Sequence, residues 1–294
     1  ALIRMHSSQS GNYHLVWAIK NGIMTDYDIT KEMLRYFINK ATHQSVSRPN
    51  VMISVPCELS EVVRHALVDV VRHAGVQSVS LISAPIAAAL GAGQILDLPD
   101  TILSVVIGKN LTDCGIYCCG GTVYEKSLAF GGYSIDLGIC RFLQKKYHLM
   151  VVPEQAEQLK HEWASCISGG EQKIFTVRGR RLEDGVEIII ELTDYELASV
   201  MQENLMPVVK LIKDVLHYST PEMAEDLIHN GMLLSGGSAQ LPEIPQWISS
   251  QIGIPVFIPK EPETVVAIGC YQAIDNGKDL SLLINRGDKY YGGF

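Results

Sequence analysis

The sequence predicts an α/β protein built from two related halves with a ligand cleft between them. Three observations carry that expectation. Short apolar runs alternate with apolar stripes at helical spacing, three consecutive strands are written between Leu103 and Phe130, and the element order of the second half recurs in reduced form in the first.

In the central stretch, an apolar run from Leu103 to Ile107 breaks at Gly108-Lys109-Asn110, resumes from Cys114 to Cys119, turns at Gly120-Gly121 and continues through Phe130. Two consecutive hairpins are written this way. A short glycine-containing turn can present backbone N–H groups to a phosphate tail, because a residue without a Cβ lets the main chain approach an anion. The plainer alternative is an ordinary tight turn in a meander.

In the first half, His14 to Lys20 followed by Asn21-Gly22 reads as a strand end and turn. Asp28 or Thr30 is expected to cap a helix carrying Met33, Leu34, Phe37, Ile38 and Ala41 on one stripe, followed by a polar loop from His43 to Asn50. Val51 to Val55 is a short strand stopped by Pro56. Ser60 opens a helix with Val62, Val63, Ala66, Leu67, Val70 and Val71 inward, closed by Gly75, and Val76 to Ile82 is the next strand. Pro85 then starts a small-residue helix through Gly93, whose backbone can pack closely against a neighbour.

In the second half, Ser134 starts a helix to about Tyr147, and another runs from Pro153 to Ala164. Residues 171 to 192 form two strands joined through Glu183-Asp184-Gly185, an arm expected to project from the body. Thr193-Asp194-Tyr195-Glu196 is a capping box that opens a long helix to His217, interrupted by Pro207. Met232 to Ser235 is a strand, Gly236-Gly237-Ser238 a turn, and a helix runs through Ile252. A strand from Pro255 to Ile258 and a helix from Pro262 to Asn276 complete the series.

With residues 153 to 217 set aside, the second half reads β-β-β-α then β-α-β-α, and the first half matches it with its three leading strands and first helix reduced or absent. The expected division is a truncated first domain over 1–97, completed by 264–294, and a second domain over 98–263 with a helix and hairpin insertion at about 134–197.

Composition bounds the function. At 47% hydrophobic and 19% charged residues the chain is ordinary globular protein. No apolar run reaches membrane-span length and no secretory signal opens the chain, so a cytoplasmic protein is expected. The net charge of −8 and the scattered Lys and Arg residues argue against nucleic acid as a partner. Seven cysteines suit a reducing compartment. Cys114, Cys118 and Cys119 lie close together, but Cys119 points away from the strand face shared by the other two and no second Cys/His pair stands at zinc spacing, so no metal centre is expected.

The motifs Asn21-Gly22-Ile23-Met24-Thr25-Asp26-Tyr27, Arg48-Pro49, Ile53-Ser54-Val55-Pro56, the run from Pro85 to Gly93, Gly131-Gly132-Tyr133-Ser134-Ile135-Asp136, Ala156-Glu157-Gln158-Leu159-Lys160, and the run from Gly231 to Ala239 stand in this order. Together they resemble the MreB and Mbl family of bacterial actin-like rod-shape proteins. The resemblance extends from about residue 15 to 276 in unbroken order. It implies the actin/chaperone/sugar-kinase fold of two duplicated domains around ATP and Mg2+, and filaments that organise cell-wall synthesis at the membrane.

By the same resemblance, the family's first phosphate hairpin, an Asp-x-Gly-Thr strand turn, belongs upstream of Ala1. In the second phosphate hairpin the family has an acidic residue where this chain has Val106, and three glycines where it has Gly108, Lys109 and Asn110, with Thr112 just beyond. The glutamate that orients the attacking water corresponds to Ala84. No catalytic residue is therefore expected, and ATP and Mg2+ binding is placed in question. The adenosine side is better kept: Gly236, Gly237 and Ser238 match the glycine turn under the nucleotide, and Glu157 and Lys160 match the helix flanking base and ribose. Their plainer readings are a helix-preceding loop and an i,i+3 surface pair. Lys109 is either a point charge toward phosphate or a solvated turn lysine.

The resulting expectation is a cytoskeletal filament subunit or filament modulator in cell morphogenesis with a degenerate ATPase site. Its partners are itself or a full-length MreB-type protein, with the cell-wall elongation machinery as a further candidate. Membrane association is expected to be weak or indirect, since the loop from His43 to Ser47 offers one apolar residue, Val46. The alternatives are an active ATPase of the same superfamily and a decayed copy with no retained role.

Overall fold

The structure, a computed structural model, describes residues 16–43, 47–96, 99–167, 172–275 and 285–286. The expectations for His14, Val46, the boundary at 97–98 and the segment past Asp275, apart from residues 285–286, lie outside the described residues.

The first half opens with a hairpin of β1 (Ile19–Lys20) and β2 (Ile23–Met24), turned by Asn21 and Gly22 at φ 52° and 73°. Helix α1 (Tyr27–Ala41) begins earlier than its sequence signals. Asp26 is the cap and accepts from Ile29 N, while Thr30 is buried and donates its hydroxyl to the Ala18 carbonyl at 3.1 Å. The expected stripe is also narrower: Met33 is buried, but Phe37 is exposed and meets Tyr36 edge-on. Strand β3 (Asn50–Val55) leads to α2 (Glu61–His73), capped by Ser60 as expected; Val68, Val70 and Val71 are fully buried, whereas Val62, placed inward by its spacing, is 79% exposed in the first turn. Strand β4 (Ser78–Ser83) pairs in parallel with β3, and α3 (Ala84–Gly91) follows directly.

The second half carries the three expected strands, β5 (Ile102–Ile107), β6 (Thr112–Cys118) and β7 (Gly121–Leu128), in antiparallel order. Next come α4 (Gly132–Tyr147), β8 (Leu149–Met150), α5 (Pro153–Trp163), β9 (Ile174–Arg181) and β10 (Glu187–Thr193). The β9–β10 hairpin does not project as an arm. It extends through β8 into a three-stranded sheet and buries Phe175, Val177 and Leu192, with Trp163 stacked on Phe175 at 4.8 Å. Alternate residues of β9 face the core while Ile174 and Arg178 face water, a two-residue period that gives the strand but not what lies beneath it.

Helix α6 (Asp194–Leu216) has the capping box read from sequence: Thr193 Oγ1 accepts from Glu196 N and the Glu196 carboxylate accepts from Thr193 N at 2.9 Å. It continues through Pro207, which is exposed. A helix not foreseen, α7 (Pro221–Asn230), precedes β11 (Met232–Ser235); α8 (Ile244–Ile252), β12 (Val256–Phe257) and α9 (Val265–Asp275) follow. Strand β13 (Asn285–Arg286) returns to pair with β4.

The main sheet has the order β12-β11-β5-β6-β7, with β12, β11 and β5 parallel and the rest antiparallel; the smaller one is β13-β4-β3. Each sheet has its own core, and a third cluster joins the halves through Ile82, Ile86, Ala87, Ile102, Tyr117, Leu233 and Val265. Here α3 and α9 touch backbone to backbone. A Cβ on Gly91 would lie 2.0 Å from the Val265 carbonyl oxygen, and one on Gly269 would lie 1.6 Å from that of Ala87. The small-residue run after Pro85 is thus what lets the two helices meet.

Candidate functional site

Strands β5 and β11 are parallel neighbours, so their carboxyl ends open on the same side of the sheet, where α/β proteins hold ligands. β5 runs into the Gly108-Lys109-Asn110 turn, closed by Gly108 N donating to Leu111 O at 2.9 Å. β11 runs into Gly236-Gly237-Ser238. Gly236 has φ +88°, and a Cβ there would lie 2.3 Å from the Ile107 carbonyl oxygen, so the two turns abut through their backbones.

The amino end of α4 seals the other side. Gly132 N and Tyr133 N donate to the carbonyls of Gly108 and Lys109 at 3.0 and 2.8 Å. A Cβ on Gly131 would lie 2.4 Å from Gly108 O. Two N–H groups that a helix start offers to anions are therefore already taken by the turn itself.

Charged groups complete the crevice. Lys109 Nζ lies 3.7 Å from Glu157 Oε1 across it. Lys160 Nζ is buried, 2.6 Å from Asp136 Oδ1, and donates to Gly132 O at 3.1 Å. Burial pushes the Asp136 carboxyl up from its ordinary range, and the Lys160 hydrogen bond works against that push. The i,i+3 reading of Glu157 and Lys160 does not hold: they share α5, but each turns to a different partner. Ser238 is buried, and its Oγ lies 3.0 Å from where a Cβ on Gly132 would stand, while Gly237 is exposed at the crevice edge. Asn110 is half-buried in the first turn. Thr112 is fully buried and donates its hydroxyl to Phe130 O at 2.9 Å, tying the start of β6 to the segment that leads into α4.

At the two positions where the resemblance expects acids, the surroundings match the residues present. Val106 packs with the apolar cluster joining the halves, and Ala84 opens α3. In register with Val106 on β6 is Asp113, buried and already accepting from Cys57 N at 3.1 Å and from the Ser127 hydroxyl. Burial pushes its pKa up, against those hydrogen bonds. Glu125 on β7, unremarked in the sequence, accepts from the hydroxyls of Ser83 and Tyr117 and so bridges the halves. Its sequence signal was the isolated Gly115 opposite it, where a Cβ would lie 2.2 Å from the Tyr117 oxygen.

This donor set does not fit a divalent cation. Asp113, Asp136 and Glu125 are each hydrogen-bonded by protein donors, Glu157 faces Lys109 at 3.7 Å, and among the described residues no group of three or more His, Cys, Asp and Glu could hold a metal ion. Cys114 is buried, and the Cys118 and Cys119 sulfurs lie 3.5 Å apart at the β6–β7 hairpin end. A depression of about 540 Å³ lies beside the Gly236 turn, lined by residues including Gln240, Lys260 and Glu263. Another, of about 380 Å³, opens at the far ends of β5 and β11, away from the crevice residues. No described helix is long and apolar enough to cross a membrane.

A mixed five-stranded sheet and a smaller one, joined through α3 and α9 with glycine turns meeting at one crevice, define an actin-like protein. Within that class the chain belongs to the MreB/Mbl protein family, which matches residues 4–282. It is 33% identical over 276 residues to the cell shape-determining protein MreB of Escherichia coli strain K12, covering 92% of this chain and 80% of that one. Against the cell shape-determining protein Mbl of Bacillus subtilis strain 168 the identity is 28% over 274 residues, covering 93% and 82%. Among solved structures, MreB5 of Spiroplasma citri bound to ADP superposes with a TM-score of 0.85 at 22% identity, covering 92% and 82%. A chain of the MamK double helical filament does so at 0.75 and 14%, covering 89% and 81%. These two likenesses speak to the fold.

Proposed function

We propose that this chain is an actin-like cytoskeletal protein of cell-shape determination, acting by association with itself or with an MreB-type relative, and that its nucleotide cleft is degenerate for hydrolysis. The observation that carries this reading is the contrast between the glycine turns after β5 and β11, which meet at one crevice, and the apolar Val106 and Ala84 at the positions where the resemblance expects acids. Metal-assisted activation and positioning of water are typically worth ~10² or more each in rate, so their joint loss removes turnover well before it removes binding.

Relatives support the association half. Those from Escherichia coli and Bacillus subtilis are named cell shape-determining, the MamK neighbour was solved as a double helical filament, and MreB5 was solved with ADP and with AMPPNP. In this reading Gly108, Lys109 and Asn110 face phosphate, and Glu157, Lys160, Gly236, Gly237 and Ser238 frame the nucleoside. The domain division at 98 and 264 belongs to the same reading. It is supported by β3, β4 and β13 forming one sheet, β5–β7 with β11 and β12 another, and α9 packing back on α3.

The rival, a working ATPase, has one observation in its favour: Glu125 places a carboxylate on Ser83, the residue before Ala84. That carboxylate is already held by two hydroxyls. Light scattering and pelleting of a competent MreB with substoichiometric amounts of this protein test the proposal. Shortened filaments or co-pelleting support it; unchanged assembly, together with no pelleting of the protein alone, rejects it.

A further inference from the structure

We propose that the phosphate end of this cleft takes a nucleoside di- or triphosphate without a divalent cation, the Lys109 ammonium supplying the positive charge. The inference rests on the reading of the crevice as a nucleotide site and goes beyond it to the ionic form of the ligand.

A polyphosphate tail held against buried backbone must have its charge met. Mg2+ meets it elsewhere by binding phosphate together with one or two carboxylates of the protein, which hold the ion's remaining positions directly or through water. The two buried carboxylates here have other tasks: Asp136 neutralises Lys160, and Asp113 is shielded while accepting from Cys57 N and the Ser127 hydroxyl. The side chain on β5 beside the turn is Val106. Among the described residues, an Mg2+ ion arriving with the nucleotide would meet no carboxylate on β5 beside the turn, where Val106 stands, and would meet the Lys109 ammonium.

Lys109 has the properties such a replacement needs. It sits on the turn that ends β5, and its carbonyl is anchored by Tyr133 N, which fixes the turn while leaving the side chain free to move. Its ion pair with Glu157 is long, 3.7 Å, and the lysine side chain is 58% exposed, so the pair contributes little and is readily exchanged for a phosphate oxygen. Lys160 cannot take this part, being committed to Asp136 and Gly132 O within the protein. A lysine is a point charge on a flexible stem, suited to meeting a phosphate without fixed bidentate geometry.

Calorimetric titration of the whole chain with ADP, once in EDTA and once in excess Mg2+, tests this. The expected result is a Kd equal in the two buffers to within about threefold, with Lys109→Gln weakening ADP about tenfold or more in EDTA and Lys109→Arg retaining most of the affinity. Thermal melts of both variants check that the exposed turn is otherwise undisturbed. Binding about tenfold or more weaker in EDTA than in Mg2+ overturns the proposal and leaves the nucleotide-site reading standing, as does a Lys109→Gln variant with unchanged affinity in EDTA. Absence of ADP binding in both buffers overturns the nucleotide-site reading and this proposal together.

Discussion

The Lys160 ammonium lies 2.6 Å from the Asp136 carboxylate, with the two side chains only 5% and 1% exposed. The pair ties α5 to α4 at the crevice floor, and the lysine also accepts the task of holding the Gly132 carbonyl. Removing one partner strands a charge away from water. Lys160→Met is therefore expected to lower stability by about 3–5 kcal/mol in urea unfolding, and the double variant Lys160→Met/Asp136→Leu by clearly less.

Glu196 gives a pH signature. Partial burial disfavours its charge, but hydrogen bonds from Lys146, Tyr147 and Thr193 prevail and hold its carboxyl at about 2, below the ordinary 4.5. Because the folded-state value is the lower one, the stabilisation is complete above about 4.5 and is lost as pH falls from there through about 2. Glu196→Gln should cost about 1–3 kcal/mol at neutral pH, and its gap from the parent should close progressively in unfolding curves taken below about pH 4.

The contact between α3 and α9 admits no methyl group. With a Cβ on Gly269 only 1.6 Å from Ala87 O, Gly269→Ala must push the helices apart, and a loss of about 3 kcal/mol is expected from thermal or urea unfolding. A change of under about 0.5 kcal/mol would mean the helices separate without strain.

Local chemistry made much of this fold legible. The Thr193–Glu196 box and the small residues after Pro85 announce structures that local chemistry enforces, and the glycine pair at 120–121 announces a hairpin, although its turn falls one residue earlier, on Cys119 and Gly120 at φ 51° and 70°. What stayed hidden depends on distant partners. Asp26, Asp28 and Thr30 all suit a cap, and the choice is settled by Thr30 reaching Ala18 in the preceding segment. Helix α7 is a different case: Thr220 as cap, Pro221 in the first turn and Met223 and Leu227 four residues apart announce it locally, although it buries only Leu227. In the crevice, Glu157 and Lys160 have the spacing of a surface pair; only Asp136, 24 residues away, draws Lys160 inward. That the two glycine turns meet at all follows from the pairing of β5 with β11, across some 130 residues that no local pattern spans.

The account centres on association without hydrolysis, and the most direct measurement reads both in one sample: pelleted protein and released phosphate, with ATP and Mg2+ present, alone and with a competent MreB. The account predicts that this protein appears in the pellet while its phosphate release, measured alone, stays at the buffer rate. Magnesium-dependent release above background from this protein alone, or its complete absence from the pellet in both conditions, would contradict it.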